Sequence, residues 1–422
     1  MTKNQKAGVH PNDPSPTPSP RTNQHEGAPQ RMDDKRAWRG TVSLAIAETT
    51  SWGILYYSFG VLLTPFEEAV GSSRVTVSGA FSLALLTSGL AARSVGRSLE
   101  RWGARRVMTL GALLGIVSYG LLATITNLTA LYLVWALIGL SHAAVLYEPA
   151  FAAITQWFPN PRQRSTALLL LTSFAGFAST IFVPLEAALC THYGWRTAVL
   201  ILTGILLVIV LPLHATLPSI SMHPSDPSEE AAQSSPSQQR VLLIVLAIVL
   251  TLNSIATTGI GVHLVPYLQT VGFSLQEAAS VTAFVGAAQV PGRLLFRPLE
   301  FVLTSQWRFA FVLLAQAFGL LGLLYPNHHT VLIFTVILWG ASNGMVTLVR
   351  ATIVADWFGR EHYASIGGYI SSWALLGRAA APLAVSLVYS QAHSYAPALL
   401  MLVGLLLISC ALILYAERLR QA

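Results

Sequence analysis

Among the charged side chains inside long apolar stretches of this sequence are Glu48, Glu148, Arg293, Arg350 and Arg378. Their types point to two kinds of chemistry. A guanidinium presents a planar fork that meets both oxygens of a carboxylate and stays charged at any physiological pH. A carboxyl group withdrawn from water holds a proton more readily than one in solution, so Glu48 and Glu148 are candidate proton carriers. His142 and His263 are further titratable groups in apolar surroundings. Arg378 stands about thirteen residues into its apolar run, near the middle. Arg293 precedes Glu300 by seven residues, about 10 Å along a helix, where a structural clamp is the alternative role, and Arg350 is equally near the end of its run. For Glu48 the alternative is a fixed ion pair, and for Glu148, followed by Pro149, support of a kinked half-helix. Tyr56, Tyr57 and Trp373 are candidates to line a pathway, with helix packing as their other reading.

An ionised side chain at a bilayer centre costs about 2.5–3.5 kcal/mol. Left unpaired, these five would cost on the order of 12–18 kcal/mol, enough to erase the stability of a typical domain. They must face the protein interior.

The elements that position them follow from composition. Of 422 residues, 53% are hydrophobic and only 10% charged, and the mean hydropathy is +0.58. Soluble domains carry roughly 25% charged residues. The apolar runs are about 18–25 residues long, the length that lets a helix cross a hydrocarbon core, and they lack the alternation of a barrel. The expected fold is all-α, with twelve transmembrane helices at 41–64, 75–95, 107–126, 130–153, 165–188, 195–216, 241–267, 277–296, 308–325, 330–355, 365–389 and 395–416. Residues 1–38, with the run Pro14-Ser15-Pro16-Thr17-Pro18-Ser19-Pro20, read as a disordered tail. The stretch 217–240, rich in Ser, Pro, Gln and Glu, reads as a linker between two six-helix bundles, 39–216 and 241–422.

With a cytoplasmic N-terminus, about twenty Lys and Arg fall on the cytoplasmic side, against Arg74 and Arg196 opposite. Both termini are therefore expected in the cytoplasm. The net charge of +7 follows membrane topology and not a nucleic-acid patch. Cys190 and Cys410 form no disulfide framework and no metal-ligand spacing. No cofactor or metal is called for, and the monomer is the default.

The halves echo each other. Arg93-x-x-x-Arg97-x-Leu99-Glu100 recurs as Arg293-x-x-x-Arg297-x-Leu299-Glu300, and Trp157-Phe158 recurs as Trp357-Phe358 at the same offset. Parallel repeats with a shared midplane site are the architecture of a rocking transporter.

Between the second and third runs stands Gly96-Arg-Ser-Leu-Glu100-Arg101-Trp-Gly103-Ala-Arg105-Arg106. It resembles the loop signature of the major facilitator superfamily, with Glu100 where Asp is usual, and Gly194-Trp195-Arg196 resembles another element of that superfamily. The resemblance covers the chain from about residue 40 onward. It implies a transporter in which Gly96, Glu100, Arg101, Gly103, Arg105 and Arg106 form a gating loop. The glycines would permit close helix approach and a tight turn, and the acid would meet a neighbouring helix terminus and an arginine.

Proton-coupled drug exporters of the superfamily carry an arginine where this chain has Trp135 ahead of Gly139, and their Gly-Pro motif is here spread from Gly176 to Pro184. That demotes export of amphipathic compounds to the alternative. Gln289-Val-Pro-Gly292-Arg293 is similar to the Gly-Arg helix of the monocarboxylate and oxalate–formate exchanger branch, and Arg378 matches the second cation some of those relatives use on a carboxylate. The resemblance thus implies a small organic anion as solute, bound by Arg378 and Arg293 and driven by protons or exchange, with Arg350 a further binding candidate from its place inside an apolar run. Gln289 replaces the Asp of the monocarboxylate carriers, and Glu48 stands where some relatives have a lysine. Metalloprotease, serine-hydrolase and phosphate-loop motifs are absent, which argues against an enzyme, and the polar segments are too short for a sensor's output domain.

Overall fold

A computed structural model of the chain describes residue 2 and residues 33–218, 237–358 and 363–421. Most of the expected disordered tail and linker lies outside the described residues, but residues 34–38 of that tail and 237–240 of that linker are helical, because they extend the first and seventh spans beyond their apolar runs. Among those described, all regular elements are helical.

The first span is a stack of α1 (Asp34–Ser51), a π-helical turn (Trp52–Tyr57) and α2 (Ser58–Val70). The second and third spans are one continuous element, α3 (Arg74–Leu121), with a break at Gly103. That residue has φ 77° and ψ 159°, a region closed to residues with a Cβ. Gly103 therefore makes the tight turn expected of it. The fourth span divides into α4 (Leu128–Val145) and α5 (Tyr147–Trp157) at Leu146. The cause is Pro149, whose ring excludes the carbonyl four residues earlier. The fifth span is α6 (Pro161–Ala175) with α7 (Ala178–Tyr193), and the sixth is α8 (Trp195–Ile205), a π turn (Leu206–Val210) and α9 (Leu211–Ala215). Then come α10 (Ser237–Thr270), α11 (Leu275–Val302), α12 (Ser305–Gly322), α13 (His329–Phe358), α14 (Tyr363–Ala392) and α15 (Ala396–Gln421).

Eight rods are apolar and long enough to cross a membrane, and one of them is α3, which holds two spans. The first span, α11 and α12 complete the twelve. These three carry Glu48, Arg293 and Arg308, so polar groups needed in the interior interrupt their apolar surface.

The pseudo-repeat is visible in the packing. A Cβ on Gly139 would come within 2.2 Å of the Ala84 carbonyl oxygen, and one on Gly340 within 2.4 Å of that of Val285. Both members of the second pair lie 201 positions after those of the first. The same small-residue contact thus joins the second span to α4 and α11 to α13. Small residues are what allow helix backbones to approach so closely. The two sets of six spans meet along three seams: α2 on α10, α3 on α14 and α7 on α11.

Candidate functional site

The π turn in the first span is the centre of the site. A turn wider than an α turn places Trp52 beneath both Tyr56 and Tyr57, and such turns favour functional positions. Its ring centroid lies 4.9 Å from that of Tyr56, 6.4 Å from Tyr57 and 4.9 Å from Tyr147 of α5. Phe151 stacks on Tyr147 at 5.1 Å and 12°. Phe182 of α7 fills the space beside Gly53, where a Cβ would lie 2.2 Å from its ring. His142 secures the turn from α4, its Nε2 hydrogen-bonding the Leu55 carbonyl at 3.0 Å. This bond ties His142 to the backbone, a positioning role for a residue expected as a proton carrier.

The last six spans bring two cations to this aromatic wall. Arg293 lies within electrostatic reach of Tyr57 and Tyr147. Its Nη1 donates to the Thr172 carbonyl of α6 at 2.8 Å, while its Nε is buried with no partner among the described residues. Arg378, at the middle of α14, lies within reach of Tyr56, which Thr258 of α10 also approaches. Its Nε is likewise buried without a partner among the described residues. The arginines and the tyrosines are separate expectations from the sequence; Arg293 lies within electrostatic reach of Tyr57 and Arg378 of Tyr56.

Glu48 closes the site from α1. It is fully buried, and neither carboxylate oxygen has a hydrogen-bond partner among the described residues. Glu148 and Trp52 lie within its electrostatic reach. Glu148 itself is exposed in the first turn of α5, where a negative charge suits the helix dipole.

Two expected residues stand elsewhere. Arg350 donates to the Ser371 hydroxyl and, at 3.5 Å, to the Gly367 carbonyl, so it joins α13 to α14. Trp373 is 47% exposed and packs on Tyr369. Five residues from Arg378 on one helix, it is turned well over a quarter circle away. In the expected gating loop, Gly96 differs from expectation too, because a Cβ there would meet open space and not a neighbouring helix. Glu100, Arg101, Arg105 and Arg106 are all exposed, and Glu100 holds no ion pair among the described residues.

Spacing alone missed Tyr147 and Phe151 as wall residues, which stand just past the break at Leu146. It also missed Glu186, whose charge inside the apolar run of α7 was a readable signal.

The pattern defining the Major Facilitator Superfamily matches residues 44–328. The chain is 26% identical over 331 residues to monocarboxylate transporter 13 of Rattus norvegicus, which spans 76% of this chain and 75% of that one. It is 27% identical over 316 residues to the uncharacterized MFS-type transporter YcxA of Bacillus subtilis (strain 168), covering 70% of this chain and 75% of that one. Among solved structures, a mutant of the nucleoside transporter NupG superposes with TM-score 0.70 at 12% identity, covering 90% of this chain and 98% of that chain. A bacterial homolog of the human lysosomal transporter Spinster, inward-facing and unoccupied, superposes with TM-score 0.69 at 14% identity, covering 92% and 98%. At these identities the two superpositions speak for the fold alone. Loop signature, twelve-span architecture and matched family pattern agree, and the chain belongs to the Major Facilitator Superfamily of multi-pass membrane transporters, not to an enzyme family.

Proposed function

We propose that this protein is a secondary transporter of a small organic anion, a carboxylate, working by alternating access and driven by a proton gradient or by solute exchange. The observation that carries this reading is the convergence of Arg293 and Arg378 on the Trp52–Tyr56–Tyr57–Tyr147 wall. A carboxylate entering such a space loses its hydration, and a nearby cation with free donors offsets that cost. The aromatic faces receive the apolar body of the solute. Glu48, with Glu148 within its electrostatic reach, and Glu148 itself are the proton carriers in this reading.

The bundles 39–216 and 241–422 rock about the site, joined by 217–240, with both termini cytoplasmic in a cell membrane. The similarity to named monocarboxylate transporters supports the choice of solute class. The density of aromatic rings favours one second reading, efflux of amphipathic compounds.

Purified protein in proteoliposomes decides between them. Uptake of labelled acetate, lactate and benzoate is measured under imposed pH gradients, beside a panel of uncharged and cationic amphiphiles. Saturable carboxylate uptake is the expected result. Transport confined to the amphiphiles would replace the anion reading with the second.

A further inference from the structure

Apart from the central site, a second set of polar groups is sealed inside the first six spans. Glu186 of α7 is 1% exposed, Ser58 of α2 is 0% exposed and Tyr119 of α3 is 0% exposed. The Tyr119 hydroxyl donates toward Glu186 Oε1 at 3.4 Å and also faces Ser58. Glu186 Oε2 and Ser58 Oγ have no hydrogen-bond partner among the described residues. Tyr119, and Cys190 one turn along the same helix, are the titratable groups that face Glu186. Among the described residues no charged side chain of α1, α2, α8 or α11 does so.

The setting separates this acid from a merely structural one. Val183 and Ala187, which flank Glu186, and Val61, one turn from Ser58, pack into the apolar cluster of the last six spans. Phe182, by contrast, packs into the cluster of the first six. Glu186 thus sits on the face of α7 turned to the first six spans, beside the residues that pack across the α7–α11 seam, where the Thr180 hydroxyl bonds the Ala283 carbonyl at 3.0 Å. Rocking of one half against the other would move Val183 and Ala187 and loosen the packing that keeps water from the acid. The ligand is identified by donor count. Four side-chain oxygens are too few for calcium, which takes about six to eight, but they suffice for a proton shared between a carboxyl and a hydroxyl.

We propose that Glu186 is a proton-binding site distinct from the central one, taking a proton onto Oε2 from water when the α7–α11 seam parts and holding it while the seam is closed. The inference rests on the proton-driven form of the reading above. It predicts that the protein binds and releases this proton without any solute present.

The test is infrared difference spectroscopy of the purified, reconstituted full chain, titrated from about pH 5 to about pH 9, the range open to buried carboxyls. The C=O stretch of a protonated buried carboxyl is expected to titrate in wild type. It should vanish in Glu186→Gln, shift in frequency in Glu186→Asp and persist in Glu48→Gln. A spectrum that Glu186→Gln leaves unchanged overturns the proposal, as does a Glu186 band that never titrates. Because the measurement uses no solute, a wrong solute class leaves its outcome intact.

Discussion

Arg74 donates through Nη1 to the hydroxyl of Tyr395 at 3.0 Å, joining the start of the second span to the start of the last across 321 positions. The same guanidinium grips Glu67 through Nε at 2.5 Å and Nη2 at 3.1 Å and lies over the Tyr389 ring at 4.8 Å. Tyr395 in turn meets His263 Nδ1 at 3.1 Å. One layer deeper, Ser386 donates to Ser78 at 2.7 Å. The end of the molecule opposite the termini is thus latched between the two halves.

Breaking that latch shifts the conformational balance. A hydrogen bond to a charged group contributes about 1.5–3 kcal/mol, so Arg74→Gln is expected to raise the population opened at this end by roughly ten- to a hundredfold. Alkylation of Ser386→Cys by an impermeant reagent, on a background lacking Cys190 and Cys410, reads this population. Equal labelling rates with and without Arg74→Gln would show that the latch does not hold the closed state.

At the central site, Arg378→Gln should weaken carboxylate affinity by about 2–5 kcal/mol, the scale of a broken buried charge pair. Arg378→Lys should recover only part, because an ammonium lacks the fork. Solute-dependent thermal stabilisation of the purified variants measures both. Unaltered affinity in Arg378→Gln would remove this residue from the site. Arg350→Gln is the control, expected to lower stability by loosening α13 from α14 while leaving affinity in place.

Glu48→Gln tests coupling. If Glu48 carries the proton, the variant should lose pH-driven accumulation yet keep solute-for-solute exchange. Undiminished accumulation under a pH gradient would return Glu48 to a structural role.

The close helix approach that positions Arg293 is also testable. A Cβ on Gly292 would lie 2.1 Å from the Ala341 carbonyl oxygen, a backbone atom that cannot swing aside. Gly292→Ala is therefore expected to destabilise by about 1–3 kcal/mol through overpacking, with a lower Tm and weaker carboxylate binding together. Gly96→Ala, facing open space, should leave Tm within about 0.5 kcal/mol equivalent of wild type. A Gly292→Ala protein as stable as wild type would mean that α11 and α13 can part without cost.

The sequence by itself determined the all-helical membrane fold and the superfamily, and it singled out the charged residues inside the apolar runs. These follow from local rules: a helix in lipid needs about twenty apolar residues, and each buried charge must find a use. It also determined Gly103, because only glycine serves that turn, and the break before Pro149. Partnership was another matter. Whether Arg350 faces a solute or Ser371, whether Trp373 shares the face of Arg378, and whether Glu100 meets a partner all depend on helix rotation and on neighbours far away in sequence. The π turn that gathers Trp52, Tyr56 and Tyr57 leaves no clear mark on an apolar run, since one extra residue per turn does not change hydropathy. The Arg74–Tyr395 latch and the sealed Glu186–Tyr119 contact join residues 321 and 67 positions apart. Only tertiary packing brings such groups within hydrogen-bond distance, because no local periodicity encodes contacts between separate spans.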